Sequence, residues 1–291
     1  MALQLVDELA DEPRHLSPEP DGEPPQRRRV SKVLIGIGLV LALVTVAAVL
    51  WFVLGRDEAE QLSNDQALND FRSSGAASSE PAGRPTPGVY AAMASGTESI
   101  GVPGFDEELG PNAPVTVTHG ADGCYTYLAD FNSHHSRSWT FCPTGTATFS
   151  LTKLTSRTAR KAPGFDIATL TTYTCERPLD FLWQGASVGD TRTGACRGTT
   201  DADPAITEDA GRIEVLDLGT IAVGGTSVDV VHLRSTDTFA AAQNGTEVDE
   251  WWIDATTGLP MRIVVDASLA GGATDYGETI DLALSTVTPA T

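Results

Sequence analysis

Gly185-Ala186-Ser187-Val188-Gly189 carries the G-x-S-x-G spacing of a nucleophile elbow. That motif works when the serine sits on a sharp strand-to-helix turn with a histidine in reach. Here Gly189 is followed by Asp190-Thr191-Arg192-Thr193-Gly194, a strand-like run into Cys196 with no helical pattern. A glycine-rich hairpin loop is therefore expected, and a serine hydrolase using Ser187 is the lesser reading. Ser150 and Lys153 have the S-x-x-K spacing, but residues three apart on a strand face opposite ways, and the companion S-x-N and K-T-G boxes are absent. His134-His135 is the one histidine pair. Adjacent side chains splay apart and no carboxylate is close in sequence, so a solvated hairpin tip is expected rather than a metal site. The acidic stretch Asp201, Asp203, Glu208 and Asp209 lacks EF-hand spacing and reads as a solvated loop. No catalytic residue, metal or cofactor is expected.

The four cysteines, Cys124, Cys142, Cys175 and Cys196, include no C-x-x-C and no close Cys/His pair, which favours two disulfides over zinc. Positions 124 and 142 lie symmetrically about Ser133, so a hairpin turning there sets the two thiols opposite one another. The same register pairs Tyr125 with Phe141 and Tyr127 with Trp139, and directly opposed residues are close enough to bridge. Cys175 and Cys196 close a second hairpin around Gly185-Ala186 with a longer loop. Sequential connectivity is expected.

The positioning elements begin with an uninterrupted apolar run, residues 33–54. As a helix it would extend about 33 Å, close to the hydrocarbon thickness of a bilayer. Arg27, Arg28, Arg29 and Lys32 precede it, and Arg56, Asp57, Glu58 and Glu60 follow. The positive-inside rule then places residues 1–32 in the cytoplasm as a Pro- and acid-rich disordered tail, 33–54 in the plasma membrane as a single-pass anchor, and the rest outside. The full chain of 291 residues has a formal charge of −20, most of it in the segment after the anchor. Such a segment repels phosphates and anionic headgroups, so nucleic acid is not an expected partner.

Residues 57–72 read as a short helix: Ser63 and Gln66 have capping-box spacing, and Ala67, Leu68 and Phe71 make a narrow apolar stripe that must dock on something. A flexible linker follows, so residues 55–87 join the anchor to a domain at 88–291. From Gly88 the period is two, with twelve candidate strands from 89–95 to 274–287. The fold class expected is mainly β, an antiparallel meander with a short N-terminal helix, which the resemblance described below extends to a curved, half-barrel-like sheet. In the last hairpin Asp254 can cap the turn and Gly258 supplies a positive φ. Alternation puts Trp251 and Ile253 on one face, with Met261, Ile263 and Val265 on the matching face of the next strand. These five are expected to line the concave side and face a ligand, while Trp252 points the other way.

Gly88-Val89-Tyr90, the two cysteine segments and Trp252-Ile253-Asp254 through Thr257-Gly258-Leu259-Pro260 resemble membrane-anchored extracytoplasmic proteins of actinobacteria. More distantly, a docked helix before a long antiparallel meander resembles the LolA/LppX-like lipoprotein half-barrel superfamily. That resemblance implies a curved sheet enclosing an apolar pocket for lipid chains. The expectation is a non-enzymatic domain whose partner is a lipid, a lipoprotein-like ligand or an envelope protein. A structural or regulatory interaction domain of the envelope is the alternative.

Overall fold

The computed structural model describes residues 32–54, 58–75, 83–102, 105–120, 122–144, 147–162, 164–201, 203–271 and 275–291. The expected tail at 1–32 lies outside these except for its last residue, as does the middle of the linker. The apolar run forms a helix, α1 (Lys32–Leu54), with no acid in its first turn and no base in its last. In α1, side chains are described at Ile37, residues 40–47 and residues 49–51, and the large apolar ones among them are exposed. Only part of α1 thus has described side chains, and among the described residues no helix is long and apolar enough to cross a membrane.

The short helix α2 (Asn64–Ser73) begins later than the sequence suggests, because Ser63 is its N-cap and residues 58–63 are not helical. The capping box forms: Ser63 Oγ accepts from Gln66 N at 3.2 Å, and Gln66 Oε1 accepts from Ser63 N at 2.9 Å. Its stripe docks as expected, with Ala67 and Phe71 buried against Val89.

The period-two region folds into one antiparallel sheet of fourteen strands. They are β1 (Gly88–Tyr90), β2 (Ala92–Ser99), β3 (Glu107–Glu108), β4 (Val115–His119), β5 (Tyr125–Asp130), β6 (His135–Thr144), β7 (Ala147–Ala162), β8 (Phe165–Trp183), β9 (Thr191–Thr200), β10 (Thr207–Val223), β11 (Thr226–Ala241), β12 (Asn244–Asp254), β13 (Pro260–Ala270) and β14 (Tyr276–Leu284). From β4 to β14 each strand pairs with the next; β1 then borders β4, and β2 borders β14. Since only Ala91 separates β1 from β2, the β4 and β14 ends of this run are joined along one stretch of chain, and β3 pairs with β2 as the last strand of the order. Ala91 O accepts from Ser285 N at 2.7 Å, and Val89 exchanges both backbone bonds with Ala290. The result is a curled half-barrel sheet whose β1 and β2 margins are drawn together at this stretch of chain.

Both expected disulfides are present, Cys124–Cys142 and Cys175–Cys196. Tyr125 pairs with Phe141 and Tyr127 with Trp139, in the register read from the sequence. The β12–β13 turn is also as expected. Asp254 Oδ1 accepts from Thr256 N at 2.7 Å and Thr257 N at 2.8 Å, and Gly258 has φ 78°. A bulge beside Trp252 accommodates it.

Candidate functional site

The inward faces of several strands change character along their length. On β6, His135, Arg137, Trp139 and Phe141 are all buried; on β12, so are Glu247, Asp249, Trp251 and Ile253; on β14, Glu278, Ile280, Leu282 and Leu284. Alternation puts each set on one face, so a charged layer and an apolar layer are stacked inside the same curl. The apolar layer is close-packed: Trp251 meets Trp139 edge-on at 5.5 Å and Phe181 at 4.9 Å between ring centroids.

The five residues expected to face a ligand, Trp251, Ile253, Met261, Ile263 and Val265, all belong to this main core and are at most 3% exposed. None of them lines the cavity described below. The same face was expected for all five, and it is the buried one. Trp252 lies on the other side, stacked on His232 at 4.2 Å and under the Arg262 guanidinium at 4.8 Å.

The charged layer is assembled from opposite walls. One register row runs Glu98, Glu278, Ala267, Glu247, Asp237 across β2, β14, β13, β12 and β11. Four carboxyls thus stand in line on five neighbouring strands. The bases come from β6 and β7. His135 lies between Glu98 (Nδ1 to Oε1, 3.0 Å) and Glu278 (Nε2 to Oε1, 2.6 Å). Arg137 donates to Glu247 and Glu278, both at 2.7 Å. Arg160 donates to Glu98 and lies 3.3 Å from Glu107. Beside them His134 Nδ1 is 2.8 Å from Glu107.

Burial alone would neutralise these groups, so the pairing decides their charge. Burial works to lower His135, yet the charges of Glu98 and Glu278 raise it to about 9. Burial works to raise Glu98, yet His135 and Arg160 hold it down at about 2. Glu278 is likewise held low by Arg137 and His135 against its burial. The three bases therefore serve Glu98, Glu278 and Glu247. Three further inward carboxyls have no ion pair among the described residues: burial and then neighbouring acids push up Asp209 and Asp249, Glu247 above all for Asp249, while burial raises Asp237 against its hydrogen bond from Ser235. Arg137 offsets Asp237 and Asp249 only in part. Asp209 Oδ1 and Asp249 Oδ1 have no hydrogen-bond partner among the described residues.

These findings correct two expectations. His134 and His135 are not a solvated tip; they are 6% and 0% exposed. Asn132 Oδ1 accepts from both His134 N and His135 N, which tightens the turn and starts β6 with His135 pointing inward. Asp209 is not a solvated loop residue either, because it follows Thr207 into the interior of β10. Asp203 does stay in the loop, accepting from Ala205 N at 2.9 Å.

Above the charged layer lies a cavity of about 500 Å³, within the range of small-molecule sites. Its floor is Arg137, Glu247 and Glu278, and it opens past exposed Ile167, Asp203 and Ala205. One wall is a ladder of hydroxyls, with Thr158 opposite Thr169 and Ser156 opposite Thr171, which in turn is opposite Thr200. The other wall is apolar and aromatic: Tyr173 and Phe239 meet edge-on at 5.6 Å, and Leu269 pairs with Tyr276. Among the described residues no group of His, Cys, Asp and Glu is arranged to hold a metal ion.

Ser187 sits elsewhere, in the turn between β8 and β9, with no helix after it. Its N–H donates to Asp190 Oδ2 at 3.0 Å and its hydroxyl to Gly185 O at 3.5 Å. A groove by that turn is lined by Leu182, Trp183, Leu218 and Val231 with Gln184, Gly185, Ala186 and Ala255, and holds no titratable group. The strand-to-helix geometry that an elbow serine needs is therefore not formed there. Comparison with protein-family models, with curated proteins and with solved structures finds no match.

Proposed function

We propose that this chain is a membrane-anchored extracytoplasmic binding domain for an amphipathic envelope molecule, held in the cavity at the charged end of the sheet. The observation that carries this reading is the cavity itself. It is an open space with an aromatic and aliphatic wall over a polar floor, beside a close-packed apolar core. An apolar chain would lie against Leu154, Phe239 and Leu269, and a polar head would meet the hydroxyl ladder or the floor.

The anchor part of the reading rests on the sequence of α1. Its backbone is helical for 23 residues, it has no charge after Lys32, and basic residues precede it while acids follow. The two disulfides agree with an oxidising compartment outside the cytoplasm.

The test is native mass spectrometry of the full chain, extracted from membranes in a non-ionic detergent. The expected result is a co-purifying amphiphile that is lost in Thr171→Trp, which fills the cavity from its hydroxyl wall. A parent protein that carries nothing and takes up no added amphiphile would sink the proposal.

A further inference from the structure

The geometry points to a cavity that takes the cationic, amine-bearing end of an amphipathic molecule, seated between the rings of Tyr173 and Phe239 and the Glu247 carboxylate. This rests on the binding reading above and names the class of head group.

Four observations carry it. The charges that line the cavity are Arg137, Asp203, Glu247 and Glu278, so acids outnumber the base. The two terminal nitrogens of Arg137 are held by Glu278 and Glu247 at 2.7 Å each, so its charge is already shared by two carboxylates and only Nε lacks a partner among the described residues. Behind the floor, Asp237 pairs across the strands with Glu247, and Asp209 with Phe239. Neither has a base of its own, and nearby Asp249, 4% exposed, has an oxygen without a partner. Among the described residues that side of the layer thus has one paired cation, Arg137, for several acids, and Glu247 shares it with Glu278. Lastly, the aromatic pair Tyr173 and Phe239 stands on the same side, and Tyr173 is held in place by a 3.1 Å bond to Gln243. Ring faces and edges of this kind attract ammonium groups, most strongly where water is excluded.

The two sides of the layer differ in a way that fixes where the head group goes. Around Glu98 and Glu278 the acids are matched by His135, Arg137 and Arg160. Around Glu247, Asp237 and Asp209 the one base in contact among the described residues is Arg137, which Glu247 shares with Glu278, so acids are in excess there. A buried carboxyl without a counter-charge protonates or waits for a cation. The raised affinities of Asp209 and Asp237 for protons are the same fact seen without ligand. An amine entering beside Glu247 would displace those protons, so binding should release protons to the solvent.

The experiment compares three water-soluble probes of equal chain length: hexylammonium, hexanol and hexanoate. Each is titrated by calorimetry into the full chain in a non-ionic detergent. Hexylammonium is expected to bind at least about tenfold more tightly than the other two. Its apparent heat should change with the ionisation enthalpy of the buffer, as proton release requires. The preference should fall to less than about threefold in Glu247→Gln. If that variant does not fold, Asp237→Asn, a near-isosteric change that leaves the Arg137 pair intact, should reduce it in the same direction. Binding of hexanol or hexanoate as tight as that of hexylammonium overturns the amine assignment and leaves the binding reading standing. A preference that survives in the folded variants overturns the placement beside Glu247. Failure of all three probes to bind overturns both.

Discussion

At the scale of the residue, the informative signal is a charge in phase with an apolar face. Trp139 and Phe141 mark the inward side of β6, and stepping back by twos reaches Arg137 and His135; from Trp251 the same step reaches Asp249 and Glu247. These phases were present in the sequence, and they could have placed His135 inside. The partners could not have been read. His135 and Glu278 are 143 positions apart, and what brings them together is the curl of the sheet, which local pairing rules do not fix. The consequence is a definite dependence on pH. His135 is raised from 6.5 to about 9, so its stabilisation is complete below 6.5 and is lost as pH rises through 9. Asp209, Asp237 and Asp249 are raised above 3.8, so they too favour the fold when protonated and oppose it as pH rises. Glu98 runs the other way: lowered from 4.5 to about 2, it stabilises above 4.5 and ceases to do so as pH falls through 2. Thermal stability should thus peak at about pH 4 to 5 and decline toward pH 9. At pH 5, His135→Leu should cost about 3–5 kcal/mol in urea melts, since it leaves Glu98 and Glu278 facing one another without their shared cation. A melting temperature that climbs from pH 5 to pH 8 would contradict this account.

At the scale of the element, hairpins were legible and boundaries less so. The Cys124–Cys142 register followed from symmetry about Ser133, and α2 followed from its capping box, because both depend on contacts within about twenty residues. The break at Ala91 was not legible. Residues 89–95 read as one strand by alternation, and the segment divides because its first part pairs with β4 while its second, which runs on to Ser99, pairs with β14. The turn between β12 and β13 offers a test of local chemistry against tertiary fit. Asp254→Ala removes the acceptor for two backbone N–H groups in an exposed turn and should cost about 1 kcal/mol. Gly258→Ala should cost more. Its φ of 78° disfavours any L side chain, and an added Cβ would lie 2.5 Å from the ring of Phe149, which is buried. Denaturant midpoints for the two variants should therefore rank Asp254→Ala above Gly258→Ala. The reverse order would mean that the turn yields and the cap, not the glycine, holds the hairpin.

At the scale of the whole molecule, an antiparallel β-rich meander was legible from the period of two, its curl was expected only from the half-barrel resemblance, and the position of its open space was not legible. Apolar residues on a concave face can either fill it or line a pocket, and their pattern is the same in both cases. The face carrying Ile263 is filled: this side chain is fully buried, with Trp251 opposite it on one neighbouring strand and Leu282 on the other. The open space lies further along the same curl, where the inward residues become threonines and carboxyls. Two tryptophan substitutions separate these regions. Ile263→Trp adds bulk to a close-packed layer and should lower stability by about 1–3 kcal/mol while leaving amphiphile binding intact in the folded fraction. Thr171→Trp adds more bulk at a wall that faces empty space, with Ser156 and Thr200 as its neighbours across the strands. It should leave the melting temperature nearly unchanged and abolish binding. Thermal melts paired with native mass spectra of both variants read the two effects separately. If Ile263→Trp removes a ligand without loss of stability, the pocket lies on the tryptophan face after all and the charged cavity is only a void above a salt-bridge layer.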